Sequence, residues 1–82
     1  IATGNTVVLK AASMTPLTSM RILELFYKEG GFPKGVVNLV TCSRNEAEIF
    51  LTDKRIRAVT FVGTTNVGKH IYSVASANGK RV

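Results

Sequence analysis

Short apolar runs alternate with longer stretches of helical periodicity along this chain, and that alternation restricts the fold more than any other feature. Asn5-Thr6-Val7-Val8-Leu9-Lys10, Val36-Val37-Asn38-Leu39-Val40-Thr41 and Ala58-Val59-Thr60-Phe61-Val62 read as three strands. The first is a β-branched run without the polar alternation of a half-wet strand, so it is expected to be buried. Between the strands, Thr15-Pro16 offers a hydroxyl cap and then proline at the first helical position, where its missing N–H costs nothing. Leu17, Met20, Leu23 and Phe26 then recur on one helical face, with Ile22 beside them. Gly30-Gly31 stops that helix and Pro33 blocks its resumption. Ser43 or Asn45 can cap a short helix through Glu46, Ala47, Ile49, Phe50 and Leu51, with the acids near its positive end. Gly63 to Gly68 turns the chain into a third helix over Thr65 to Ala77, with Val67, Ile71 and Val74 facing inward and Asn78-Gly79 ending it. Strand–helix repeats of this length imply a parallel sheet with right-handed helical crossovers. The expected fold class is α/β, a βαβαβα segment of a Rossmann-like doubly wound sheet.

Composition narrows the setting. The 82 residues begin with Ile1 and run straight into a strand pattern, so the expectation is an internal piece of a longer protein. At 45% hydrophobic residues the chain is globular in character. A domain this small buries only ~60–65% of its unfolded surface and is marginal alone. No apolar run approaches the ~18–20 residues of a membrane span. The single cysteine, Cys42, can form no internal disulfide, in keeping with a reducing, cytoplasmic compartment. The net charge of +6 opens the possibility of a nucleic-acid partner. Against it, the basic residues are dispersed from Lys10 to Arg81, and only Lys54-Arg55-Ile56-Arg57 forms a cluster.

Ligands of open parallel sheets bind beyond the carboxyl ends of the strands. Three stretches emerge there: Lys10 to Ser13, Thr41 to Arg44, and Gly63 to Gly68. The last pairs glycines with a helix N-terminus, whose free N–H groups and partial positive charge suit a phosphate. Spacing alone equally allows a plain strand-to-helix turn in which glycine supplies an unusual backbone angle. Extended to Lys69-His70, the stretch nearly matches a phosphate loop, but His70 stands where Mg²⁺ needs a hydroxyl. Lys10 could meet a ribose hydroxyl or a phosphate, or simply be solvated. His70 and Tyr72 read as surface positions. Cys42 reads as an inert thiol with no base beside it, and the sequence offers no metal-ligand set.

Taken together, Gly4-Asn5-Thr6-Val7-Val8-Leu9-Lys10, Thr15-Pro16, Gly35-Val36-Val37-Asn38-Leu39-Val40 and Phe61-Val62-Gly63-Thr64-Thr65-Asn66-Val67-Gly68 resemble the aldehyde dehydrogenase superfamily in order and in gaps. The resemblance covers essentially all 82 residues. It implies that Lys10 hydrogen-bonds an adenosine ribose, that Gly63 and Thr64 lie under a pyrophosphate, and that Val67 packs against the dinucleotide. Phe61 matches the aromatic or apolar strand residue before the turn. The implied cofactor is NAD or NADP, and the implied partners are that dinucleotide and an aldehyde, in a homo-oligomeric parent enzyme. A catalytic cysteine thiolate would form a thiohemiacetal and, after hydride transfer, a thioester released by water or coenzyme A. The resemblance puts that cysteine and the glutamate base downstream of Val82 and the oxyanion-hole asparagine upstream of Ile1. No catalytic residue is therefore expected here, only an internal segment of the NAD(P)-binding domain that is inactive alone.

Two departures from the family pattern carry information. Many NAD-preferring members place Glu three residues after the lysine, where this chain has Ser13. Serine does not repel a 2′-phosphate, and Lys10 with Arg44 could attract one, so acceptance of NADP is expected. Cys42-Ser43-Arg44 and Glu48 replace common glycines. Together with Ile71-Tyr72 and Ser76-Ala77-Asn78-Gly79-Lys80-Arg81-Val82 they are similar to the methylmalonate-semialdehyde dehydrogenase branch, which transfers its acyl group to coenzyme A. The competing expectation is a self-standing basic α/β module for nucleotides or nucleic acid.

Overall fold

The computed structural model describes residues 1–82 and divides them into two compact units, Ile1–Ser43 and Arg44–Val82. The first unit is α/β. Strand β1 (Val7–Lys10) pairs in parallel with β2 (Val37–Val40), and helix α1 (Pro16–Lys28) connects them. The ladder sets Val7 opposite Val37 and Lys10 opposite Val40. Backbone bonds extend it at both ends, Val7 N–H to the Val36 carbonyl at 2.8 Å and Ala11 N–H to the Val40 carbonyl at 3.0 Å. Asn38 adds a side-chain bridge, its Nδ2 donating to the carbonyls of Val7 at 3.2 Å and of Gly35 at 2.9 Å.

Helix α1 starts with Pro16 at its first turn, as its sequence requires, but the Thr15 hydroxyl makes no capping bond. Its end follows the double glycine. Gly31 adopts φ +66°, and any Cβ on Gly30 would stand 2.8 Å from the Phe26 carbonyl oxygen. Phe32 folds back edge-on against Phe26, ring centroids 5.1 Å apart.

Two expectations fail in this unit. The apolar stripe of α1 is only partly its packed face: Leu17 is 74% exposed and Met20 is also exposed, whereas Leu23 of the stripe and Tyr27 outside it are half-buried. On that packed side the Tyr27 hydroxyl donates to the Val37 carbonyl, the acceptor that a half-buried phenol needs. Nor is β1 buried, since Val7, Val8 and Leu9 are all exposed. The helix packs on β2, where Val37 is buried, and within this unit no layer covers β1.

The second unit is helical with almost no sheet. A 3-10 turn (Glu46–Glu48) leads into the single-turn helix α2 (Ile49–Thr52), which packs against α3 (Thr65–Ala77). Glu46 and Glu48 occupy the first turn as expected, but Asn45 makes no side-chain cap. Leu51 and Ala75 form the core, Ala75 with no exposed surface, while Val67, Ile71 and Val74 are half-buried as their spacing requires. Gly79 (φ +73°) ends α3, with Lys80 N–H reaching back to the Ala75 carbonyl at 3.0 Å.

The third strand does not form. Ala58 makes one parallel bridge with Arg81, and Val62 is 99% exposed. A strand exists only by pairing, and within its own unit this segment meets a single partner residue. The βαβαβα expectation thus reduces to a two-strand parallel sheet accompanied by three helices. No helix is long and apolar enough to cross a membrane.

Candidate functional site

The expected site residues fall in both units. Lys10 and Ser13 belong to the first, and Arg44, Phe61, Gly63, Thr64 and Val67 to the second.

In the first unit, the carboxyl ends of β1 and β2 and the start of α1 border an open cavity of about 340 Å³ lined by Ala11, Ser13, Pro16, Thr41, Cys42 and Ser43. Parallel pairing makes this unavoidable, because both strands finish on the same edge and the crossover helix begins there. Two of the three stretches singled out in the sequence meet here. Lys10, the last residue of β1, is half-buried and lays its ammonium against the Ala11 carbonyl at 3.2 Å, beside the cavity. Every lining residue is uncharged, so no carboxylate opposes an anion in the cavity. Cys42, read from the sequence as inert, is half-buried and part of the wall.

In the second unit the backbone enters α3 at Thr64 (φ −72°, ψ 150°), whose side chain makes no capping bond. The first helical hydrogen bond runs from Gly68 N–H to the Thr64 carbonyl at 2.9 Å. The amides of Thr65, Asn66 and Val67 therefore precede the helical ladder, and residues 61–66 are exposed around them. No acidic residue stands in the first turn of α3, so the helix dipole presents an uncompensated partial positive charge there. Arg44 is exposed, and Val67 is half-buried.

The glycines of this turn do not serve the backbone angle that a plain turn would demand. Neither Gly63 nor Gly68 has a positive φ. Instead the Phe61 ring lies across the turn: a Cβ on Gly63 would come within 2.4 Å of Phe61 Cζ, and one on Gly68 within 3.7 Å of Cδ1. Sequence reasoning placed Phe61 before the turn but missed that its ring folds over it, since spacing does not reveal a rotamer. His70 meets Glu48 at 2.8 Å, tying α3 to the 3-10 turn and leaving the phosphate-loop likeness without a metal-binding side chain.

The model of the aldehyde dehydrogenase family matches residues 1–82, and the chain belongs to that family. A malonate-semialdehyde dehydrogenase of Oceanobacillus iheyensis is 52% identical over all 82 residues, and one of Bacillus thuringiensis is 49% identical over the same span. The chain covers 17% of the length of each of these relatives. Among solved structures, a methylmalonate-semialdehyde dehydrogenase from Sinorhizobium meliloti complexed with NAD superposes with a TM-score of 0.90 at 37% identity, over 95% of this chain and 16% of that one. A betaine aldehyde dehydrogenase of Staphylococcus aureus in complex with NAD+ gives 0.86 at 37% identity, over 98% of this chain and 16% of that one. These relatives are oxidoreductases, and membership of their family sets aside a module of unrelated descent.

Proposed function

We propose that residues 1–82 are an internal segment of the NAD(P)-binding domain of an aldehyde dehydrogenase acting on a semialdehyde. In the parent protein the two-strand ladder continues into a fuller doubly wound, Rossmann-like sheet. The observation that carries this reading is the mouth of α3, where exposed amides at Thr65, Asn66 and Val67 lie ahead of the helical ladder. Such a mouth suits the charge of a dinucleotide pyrophosphate. The cavity without carboxylates at the ends of β1 and β2 suits an adenosine moiety.

Within that reading each residue has a task. Lys10 donates from its ammonium to ribose hydroxyls. The backbone after Gly63 and the Thr64 hydroxyl hold the diphosphate, and Val67 offers an apolar contact beside it. Phe61 shapes the floor of the turn. Ser13, in place of a carboxylate, leaves room for a 2′-phosphate, and Arg44 adds positive charge, so NADP is accepted as well as NAD. The bound dinucleotide supplies the hydride acceptor. The cysteine, glutamate and asparagine of the chemical step lie outside this chain, which alone oxidises no aldehyde. The relatives' names favour malonate or methylmalonate semialdehyde as substrate, and the acyl acceptor in this reading is water or coenzyme A. A cytoplasmic homo-oligomer is the corresponding parent.

The test is the ratio of kcat/KM for NADP to that for NAD, measured on the full-length enzyme. A ratio near or above one is expected; a ratio far below one removes the NADP assignment. Aldehyde oxidation by the isolated 82-residue chain would overturn the fragment reading itself.

A further inference from the structure

Lys80 is 7% exposed and is the one buried charged residue of the chain. Its ammonium donates to the carbonyl oxygens of Asp53 at 2.5 Å and Ile56 at 2.6 Å. Burial of an ammonium costs several kcal/mol and persists only where its protons find partners. Here the partners are backbone carbonyls of the turn that leaves α2. Asp53 ends that helix in an extended conformation (φ −67°, ψ 126°), and Ile56 N–H already donates to the Asp53 carbonyl at 3.1 Å. An apolar side chain at position 80 would leave the Ile56 carbonyl without this partner in a protected site.

The neighbouring backbone fastens the same segment. Arg81 N–H donates to the Arg57 carbonyl at 3.1 Å, and Val59 N–H donates to the Arg81 carbonyl at 2.8 Å. Lys80 N–H is bonded at the same time to Ala75 in the last turn of α3. Residues 79–81 thus join the far end of α3 to residues 53–59, the stretch that leads into Phe61, Gly63 and Thr64. The chain from Arg57 to Arg81 is closed at its base. With both the incoming segment and the C-terminus of α3 fixed there, sliding or tilting of the helix against Phe61 works against the Lys80 contacts. A helix of 13 residues at 1.5 Å per residue places Thr64 about 20 Å from Lys80, so no direct contact with a ligand at the mouth is available.

We infer that Lys80 is a positioning residue for the dinucleotide-binding turn, holding the axis of α3 so that the Thr65, Asn66 and Val67 amides converge on one anion. This rests on the function proposed above. Phe61 alone does not supply the restraint, since its ring is partly exposed and Val62 beside it is free of packing.

The experiment compares unaltered full-length enzyme with Lys80→Met, which keeps much of the packing and removes the charge and its hydrogen bonds. NADH and NADPH are titrated by their fluorescence. Dinucleotide affinity is expected to fall about tenfold, the scale of one lost hydrogen bond to the anion, while the KM for aldehyde stays within about twofold. A general loss of structure would move both constants, so equal changes in both overturn the inference. Hydrogen–deuterium exchange of the unaltered enzyme gives a readout that needs no variant. Coupling between the base and the mouth is reciprocal, so saturating NADH should slow exchange at the Val59 and Arg81 amides at least about threefold. Unchanged exchange there overturns the inference even if Lys80→Met is never recovered folded. Failure of the unaltered enzyme to bind either dinucleotide overturns the function itself; normal binding by Lys80→Met overturns only the role of Lys80.

Discussion

The two units reach order by opposite routes. Ile1–Ser43 has the regular ladder, yet its strand β1 is open to solvent, and its deepest residues, Ala11 and Val37, sit on the edge and under the helix. Arg44–Val82 has one bridge in place of a sheet, yet it holds Leu51, Ala75 and Lys80, all buried. Backbone pairing and side-chain burial are thus separable. The first unit carries the hydrogen bonds of a parallel sheet without its covering layers. The second packs its helix and its loop without the sheet.

That contrast can be broken most directly by truncating one apolar residue in each unit. Leu51→Ala should cost ~2–5 kcal/mol in denaturant unfolding, because a buried leucine leaves a cavity. Leu9→Ala, on the exposed strand, should cost no more than about 1 kcal/mol. Equal losses would mean that the strand face is covered after all.

The two glycines under Phe61 sharpen the comparison within the second unit. Gly63→Ala puts a methyl into the ring and should cost ~1–3 kcal/mol, as overpacking does. Combining it with Phe61→Ala should remove most of that penalty, a coupling that a double-mutant cycle reads directly. Gly68→Ala meets only ordinary contact distances inside a helix and should stabilise by ~0.5–1 kcal/mol. A destabilising Gly68→Ala would show that the ring lies closer to α3 than described.

The smallest effect is electrostatic. The Arg55 side chain and backbone N–H hold the Asp53 carboxyl well below its ordinary value of 3.8. In the first unit Lys28 and then Arg21 lower Glu24 from 4.5, on the open face of α1. A depressed carboxylate contributes stability that is fully present above its unfolded pKa and is lost as pH falls through the folded one. Unfolding midpoints should therefore decline below about pH 4. Asp53→Asn should flatten that decline more than Glu24→Gln, since the Asp53 shift is the larger; the reverse order would break the comparison.

What the sequence disclosed follows the range of the forces involved. Helix ends were legible because Pro16, Gly30-Gly31 and Asn78-Gly79 act on their own neighbours. The first two strands and their parallel sense were legible from apolar runs separated by one helix. The third strand was not, because the same composition in Ala58–Val62 forms a ladder only when a partner lies beside it. The packed face of α1 was read only in part, at Leu23, because apolar spacing does not show that Tyr27 also finds an acceptor on β2. At the candidate site, the strand-end stretches and the mouth of α3 were visible as positions. The ring of Phe61 over Gly63 and the ammonium of Lys80 were not, since both depend on residues brought together by folding.

One small amide near the start of β2 pins the strand register. The Asn38 side chain grips the Gly35 carbonyl on its own turn and the Val7 carbonyl on the adjacent strand at once. A slip of either strand by one residue would break the second grip and reverse which side chains face the helix. The turn and the pairing therefore reinforce each other through one side chain. Asn38→Ala should then lower amide protection at Val36 and at Val7 together, as hydrogen exchange reads it.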